Sequence, residues 1–175
     1  MYAGIGSVPV TRWYPLEPAD ETVFATAAHV YRYPIRLQVT PERVWEQISS
    51  DESLAAWGLG VRRLTWTSPP PFGVDTTREV VLPLGLVTIR ERFFRWDEGK
   101  GYSFYVASMN RPGLTRFAED YVVEADGDGA LLTWTIALEA KPYLTPMLSA
   151  LGPLNRRAFG QFGRAARKYF AEHPS

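Results

Sequence analysis

The sequence predicts an α+β domain in which a curved antiparallel sheet of about seven strands wraps around a long C-terminal helix, with two short helices after the first strand. Three observations lead there. Apolar residues alternate from Val30 to Val39, clusters of turn-forming residues cut the middle of the chain into short strands, and apolar residues recur at helical spacing from Thr145 to Glu172. A sheet curved around one helix leaves a hollow, and aromatic side chains on its inner face suit that hollow to a small hydrophobic molecule.

The elements follow in order. Residues 1–27 contain Pro9, Pro15 and Pro18 with Gly4 and Gly6, which block a helix and predict an irregular N-terminal arm. Trp13, Tyr14 and Phe24 give that arm apolar surface with which to pack on the body, residues 28–175, and Thr22 to Ala27 is compatible with an extra edge strand. In the first main strand Tyr31, Tyr33, Ile35, Leu37 and Val39 alternate with polar or small residues, and Pro34 restricts it to an edge or a bulge. Thr40-Pro41-Glu42 then supplies an N-cap, proline at the first helical position and an acid in the first turn, with Val44, Trp45 and Ile48 as the buried stripe. Ser50-Asp51 restarts a second short helix through Trp57, ended by Gly58 and Gly60.

Turn chemistry at Pro69 to Gly73, Pro83 to Gly85, Asp97 to Gly99, Arg111 to Gly113 and Asp126 to Gly129 delimits six further strands. They are predicted over Val61 to Thr67, Thr76 to Leu82, Leu86 to Trp96, Gly101 to Met109, Leu114 to Glu124 and Ala130 to Ala140. Connections this short demand antiparallel neighbours. Thr145-Pro146 repeats the cap-and-proline start, and Leu148, Leu151, Phe159, Phe162, Ala166 and Phe170 mark the buried side of the last helix. Gly152-Pro153 should kink it, because proline removes a backbone donor and collides with the preceding turn.

The bulk composition excludes several classes. A chain of 175 residues fits one domain, and its 46% hydrophobic content rules out a mainly disordered segment. Equal numbers of acidic and basic residues give no net field to gather nucleic acid. No cysteine is present, which removes a disulfide framework, a thiolate zinc site and a cysteine nucleophile. Residues 1–10 lack a basic start followed by an apolar stretch, and no apolar run approaches the ~20 residues of a membrane span, so a cytoplasmic location is expected.

The order of these elements resembles the SRPBCC superfamily, the helix-grip group that includes START lipid-transfer domains, the birch pollen allergen and polyketide cyclase/dehydrase-like proteins. The segments that carry the resemblance are Gly73 to Arg78, Val87 to Arg92 with Arg95-Trp96-Asp97, and Gly129 to Trp134. It covers roughly Val30 to Phe170 and implies a hydrophobic ligand cavity between sheet and C-terminal helix. No cofactor is expected.

Side-chain parity then nominates the lining. On the strand from Leu114 the bulkier set is Phe117, Glu119, Tyr121 and Val123, and on the last strand Leu132, Trp134, Ile136 and Leu138. The strand before them offers Val87, Ile89, Glu91 and Phe93, whereas either Tyr102 and Phe104 or Tyr105 and Met109 face inward on the next. The candidate ligand-binding set is Tyr33, Trp57, Val80, Ile89, Phe93, Tyr105, Phe117, Tyr121, Trp134, Leu148, Leu151 and Phe159. Access would be gated by Pro146 to Pro153 and by the Pro69 to Gly73 loop.

Glu91 and Glu119 are the candidate catalytic carboxylates, since an apolar wall disfavours their ionised form, and Arg78 is the candidate for polarising a carbonyl. Either glutamate can equally face solvent or pair with Arg78 or Arg116, and the tyrosines and tryptophans can equally be plain core. His29 and His173 have no clustered partners, so no metal site is expected. Asp126-Gly127-Asp128-Gly129 lacks the glutamate of a calcium loop, since Ala137 stands there, and reads as a hairpin turn. The leading expectation is binding or transport of a lipid, polyketide or aromatic metabolite. The alternatives are an aromatase/cyclase or dehydrase using a cavity carboxylate, and a protein-interaction module with a filled core.

Overall fold

The computed structural model describes residues 11–50, 52–56, 61–82, 85–150 and 152–174, with the backbone alone for 53, 154–156, 158 and 159. Among these residues eight strands form one antiparallel sheet. In chain order they are β1 (Tyr14–Pro15), β2 (His29–Leu37), β3 (Arg63–Trp66), β4 (Thr77–Val81), β5 (Thr88–Asp97), β6 (Gly101–Met109), β7 (Leu114–Asp126) and β8 (Gly129–Ala140). The helices are α1 (Val23–Thr26), α2 (Pro41–Ser49), α3 (Thr145–Ala150) and α4 (Gly152–Glu172), with a 3₁₀ turn at Ser53–Ala56. Strand order is β2-β8-β7-β6-β5-β4-β3, and β1 adds to β6. Hairpins join each sequential pair from β3 to β8, and β2 closes onto the last strand by pairing His29 with Leu138 and Leu37 with Ala130.

Several elements follow local chemistry closely. Pro34 sits in an edge strand, where its missing N–H leaves no ladder bond unmade. The Thr40 hydroxyl accepts from the Arg43 N–H at 3.3 Å, capping α2 ahead of Pro41, and α2 buries Val44, Trp45, Gln47 and Ile48. The expected long helix is described over Thr145–Ala150 (α3) and Gly152–Glu172 (α4), and residue 151 between them lies outside the described residues.

The extra edge strand compatible with residues 22–27 is instead the helical turn α1. The Asp20 carboxylate accepts from the Thr22 N–H at 2.9 Å and the Thr22 hydroxyl at 2.5 Å, which starts a turn rather than an extended segment. The arm's strand lies earlier, where Tyr14 pairs with Met109. Leu16 and Val23 are buried. The second short helix is the 3₁₀ turn, and its predicted end at Trp57, Gly58 and Gly60 lies outside the described residues.

The concave face of the sheet holds the main core. Ile35 and Leu37 of β2, Leu132, Trp134 and Ile136 of β8, Tyr121 and Val123 of β7 and Tyr102 and Phe104 of β6 meet α2 and the far half of α4. The two ring centroids of Trp134 and Phe162 lie 4.1 Å apart, and Ile35 approaches Gly163 closely enough that a Cβ there would sit 3.3 Å from its Cγ1. The choice left open on β6 is thereby made: Tyr102 and Phe104 face in. Tyr105 faces the outer side, stacked on Phe94 at 6.4 Å, beside Ala118, Ala137 and α1.

Gly101 starts β6 with φ +148°, and a Cβ there would overlap the carbonyl oxygen of Tyr121. Gly101→Ala should therefore destabilise the protein by about 2 kcal/mol through backbone strain and displacement of β7. Urea denaturation checks this, and an unchanged midpoint would contradict it.

Candidate functional site

The sheet register assembles a buried polar cluster on the concave face. Arg78 of β4 stands opposite Glu91 of β5, and Glu119 of β7 stands opposite Phe104 of β6. The Arg78 guanidinium is paired with the Glu91 carboxylate, with side chains 0% and 3% exposed. Rings surround the cation: its central carbon lies 4.7 Å from the Phe104 centroid, 4.9 Å from Phe93, 5.2 Å from Trp66 and 5.6 Å from Tyr102. Such contacts favour a guanidinium over an ammonium because it is planar and weakly hydrated.

Burial opposes the charge on Arg78, but Glu91 outweighs it and holds the arginine's proton more firmly than usual. Burial also lifts the Glu91 carboxyl above the ordinary range, against the pull of Arg78. The two shifts oppose each other across one contact. The stronger hold on the arginine's proton makes the pair a charged one, with Glu91 the counter-ion of Arg78.

Glu119 is in a different state. Burial and the neighbouring Glu91 charge raise its carboxyl from 4.5 to about 7, against hydrogen bonds from Tyr121 and Trp134. The Tyr121 hydroxyl donates at 2.7 Å and the Trp134 indole N–H at 2.9 Å, both to Oε2. Among the described residues no hydrogen bond reaches Oε1. An acid with two donors on one oxygen carries its proton on the other, so neutral Glu119 presents an O–H from Oε1. Burial, then Glu119, pushes the Tyr121 phenol well above its usual range, so it remains a donor.

A second set of rings extends this wall toward α2. Trp66 stacks on Phe72 at 4.1 Å, and Trp96 stacks on Tyr102 at 5.5 Å. Glu98 accepts from both Trp45 and Trp96, at 2.9 and 3.1 Å, and so fixes the two indoles together.

The candidates from the sequence are distributed as follows. Arg78, Glu91, Glu119, Phe93, Tyr121 and Trp134 come together in this cluster, and Tyr33 packs on Trp134 at 5.6 Å. Val80 and Ile89 belong to an adjoining apolar cluster with Leu16, Val106 and Met109, and Phe117 bridges the two. Tyr105 is on the outer face and Leu148 is half-buried on α3. Trp57, Leu151 and the Phe159 side chain lie outside the described residues. Of the two loops expected to gate access, Phe72 of the first packs on Trp66; at the other, a cleft of about 450 Å³ lies between Ala28–Tyr31 and Ser149, Gly152 and Pro153.

Sequence reasoning missed Trp66 and Trp96 as members of the site, and it left Tyr102 and Phe104 as one of two alternatives on β6. Trp66 was legible, since it alternates with Leu64. Trp96 was not: a bulge between Phe93 and Arg95 breaks the alternation and turns the indole inward where parity would have placed Arg95. Arg95 goes to the outer face and pairs there with Asp97 and Asp120.

Comparison with known proteins agrees with this architecture. The profile of the family described as "Polyketide cyclase / dehydrase and lipid transport" matches residues 25–171. An uncharacterized protein of Mycobacterium tuberculosis is 33% identical over 156 residues, covering 89% of this chain and 93% of that one. Among solved structures, a Thermus thermophilus protein superposes with a TM-score of 0.67 at 19% identity, over 84% of this chain and 100% of that one. Norcoclaurine synthase from Thalictrum flavum, in complex with dopamine and hydroxybenzaldehyde, gives 0.58 at 16% identity, over 91% of this chain and 96% of that one. A helix-grip sheet in the expected strand order, matched by the profile across most of its length, makes this chain a member of the polyketide cyclase / dehydrase and lipid transport family within the SRPBCC superfamily.

Proposed function

We propose that the protein binds a small, largely apolar molecule carrying a carbonyl or hydroxyl group, held between the concave face of the sheet and α4. One observation carries the reading: Glu119 is a buried acid with a pKa of about 7, flanked by aromatic rings, whose Oε1 receives no hydrogen bond among the described residues. A carboxylic acid held neutral in an apolar wall donates a hydrogen bond to a ligand oxygen without the desolvation cost of a charge. The rings provide the rest of the affinity, at about 25 cal/mol per Å² of apolar surface removed from water before the costs of association. The family description, which couples cyclase/dehydrase activity with lipid transport, supports the same ligand class.

Titration with cis-parinaric acid and with hydroxylated aromatic aldehydes should quench tryptophan emission saturably, because Trp134, Trp66 and Trp96 belong to the wall. Organic extracts of the purified protein should contain a hydrophobic compound. Empty extracts together with no saturable quenching would overturn the reading.

A second reading, cyclisation or dehydration, is favoured by the same pKa, since a proton donor and acceptor works best near the ambient pH. Glu119 would then protonate a ligand carbonyl and recover its proton from the adjacent carbon, with Arg78 fixing the charge state of Glu91 beside it. Glu119→Gln should abolish turnover of a polyketide substrate while probe binding weakens less than tenfold. Unchanged turnover in that variant would exclude the enzymatic reading and leave the binding one standing.

A further inference from the structure

Zero net charge conceals a separation of charge along the sheet. Five segments meet at one end: residues 11–13 before β1, 61–63 at the start of β3, residues 82 and 85–87 between β4 and β5, the β6–β7 turn, and the chain from Lys141 through α3. Together they hold Arg12, Arg62, Arg63, Arg111 and Lys141 and no aspartate or glutamate. All five cations are exposed, and among the described residues none forms an ion pair. The hairpin connections at the opposite end hold Asp75, Glu98 and Asp128 with one cation, Lys100.

The cationic end is also where large apolar side chains reach solvent. Leu86, Tyr143 and Met147 are 55%, 67% and 50% exposed, and only Val74, at the other end, is comparable among the described residues. The segments that carry them adjoin one another. The Asn110 side chain donates to the Leu86 carbonyl at 3.4 Å, and the Lys141 N–H donates to the Gly113 carbonyl at 2.9 Å. Gly113 itself lies against Leu144, so closely that a Cβ would overlap that side chain. The cleft between Ala28–Tyr31 and Ser149, Gly152 and Pro153 lies at this same end.

We propose that this end of the sheet docks on an anionic phospholipid surface, with Leu86, Tyr143 and Met147 entering the headgroup boundary and Arg62, Arg111 and Lys141 facing the phosphates. Exposed apolar tips ringed by cations, with no carboxylate among them, match a surface that is negative outside and oily just beneath. Docking in this orientation turns the cleft beside α3 toward the lipid. The inference stands on surface residues and does not depend on the interior site.

Flotation of the full chain with phosphatidylcholine vesicles, and with phosphatidylcholine vesicles containing phosphatidylglycerol, tests it. Binding is expected to the second only, weakening as salt rises. Each cation near such a surface contributes roughly fivefold, so Arg62→Gln/Arg111→Gln/Lys141→Gln should lose on the order of a hundredfold in affinity. Leu86→Ser/Met147→Ser should remove the binding that survives high salt, and Arg164→Gln/Arg167→Gln, on α4, should change nothing. All are exposed positions, and circular dichroism verifies that each variant is folded. Failure of the full chain to float with anionic vesicles would overturn the proposal, as would variants that bind as well as the parent. Binding to a poly-glutamate peptide without vesicle binding would overturn it in favour of an acidic protein partner.

Discussion

Arg78→Met should destabilise the fold by about 3–5 kcal/mol, because it strands the Glu91 carboxylate in the core without its guanidinium. For a chain of this size that corresponds to a fall in Tm of roughly 10 °C. The loss is one of pairing, not of volume, since methionine fills much of the space among Phe93, Phe104 and Trp66. Arg78→Met/Glu91→Leu should accordingly recover most of it, as apolar replacements of buried ion pairs commonly do. Urea denaturation of the three proteins decides the matter. A single variant as stable as the parent, or a double variant worse than the single, would show that the pair does not hold this part of the core.

The second large effect is on pH dependence. Folded, Glu119 keeps its proton up to about 7, while the unfolded chain releases it near the ordinary 4.5. Below 4.5 both states are protonated and the stabilising contribution of the neutral acid is fully present. Between 4.5 and 7 the folded state binds more protons than the unfolded one, so stability falls as pH rises, and above 7 the contribution is gone. The difference between parent and Glu119→Gln should shift by about 3 kcal/mol across that window, since each unit of displacement is worth about 1.4 kcal/mol. Glutamine still accepts from Tyr121 and Trp134, so the variant removes the titration and leaves the contacts. Parallel denaturation at about pH 5 and about pH 8, on either side of the folded-state pKa, would show this, and equal slopes for both proteins would place the titration elsewhere. If the neutral acid recognises the ligand, probe binding should weaken as pH rises through about 7.

Much of the fold was legible because its cues are local. Thr40-Pro41-Glu42 caps α2 wherever the chain is placed, and Gly101 to Met109 was bounded correctly by the turn before it and the Arg111-Pro112-Gly113 turn after it. The site was less legible. Parity on β7 and β8 brought out Glu119, Tyr121 and Trp134, but it could not choose the inner face of β6, where both alternating sets are aromatic. Nor could it find Trp96, whose direction depends on a bulge that no residue type announces.

The sequence by itself determined the succession of strands and helices from β2 onward, the restriction of β2 to an edge or a bulge, and the presence of carboxylates and rings in the strands. Those features depend on side-chain period, backbone donors and turn geometry within a few residues. Only the tertiary structure decided that Glu91 receives a guanidinium while Glu119 receives a phenol and an indole. It also decided that cations scattered from Arg12 to Lys141 share one end of the sheet. Both outcomes depend on cross-strand register and on which hairpins end together, and so on contacts between residues far apart in the chain.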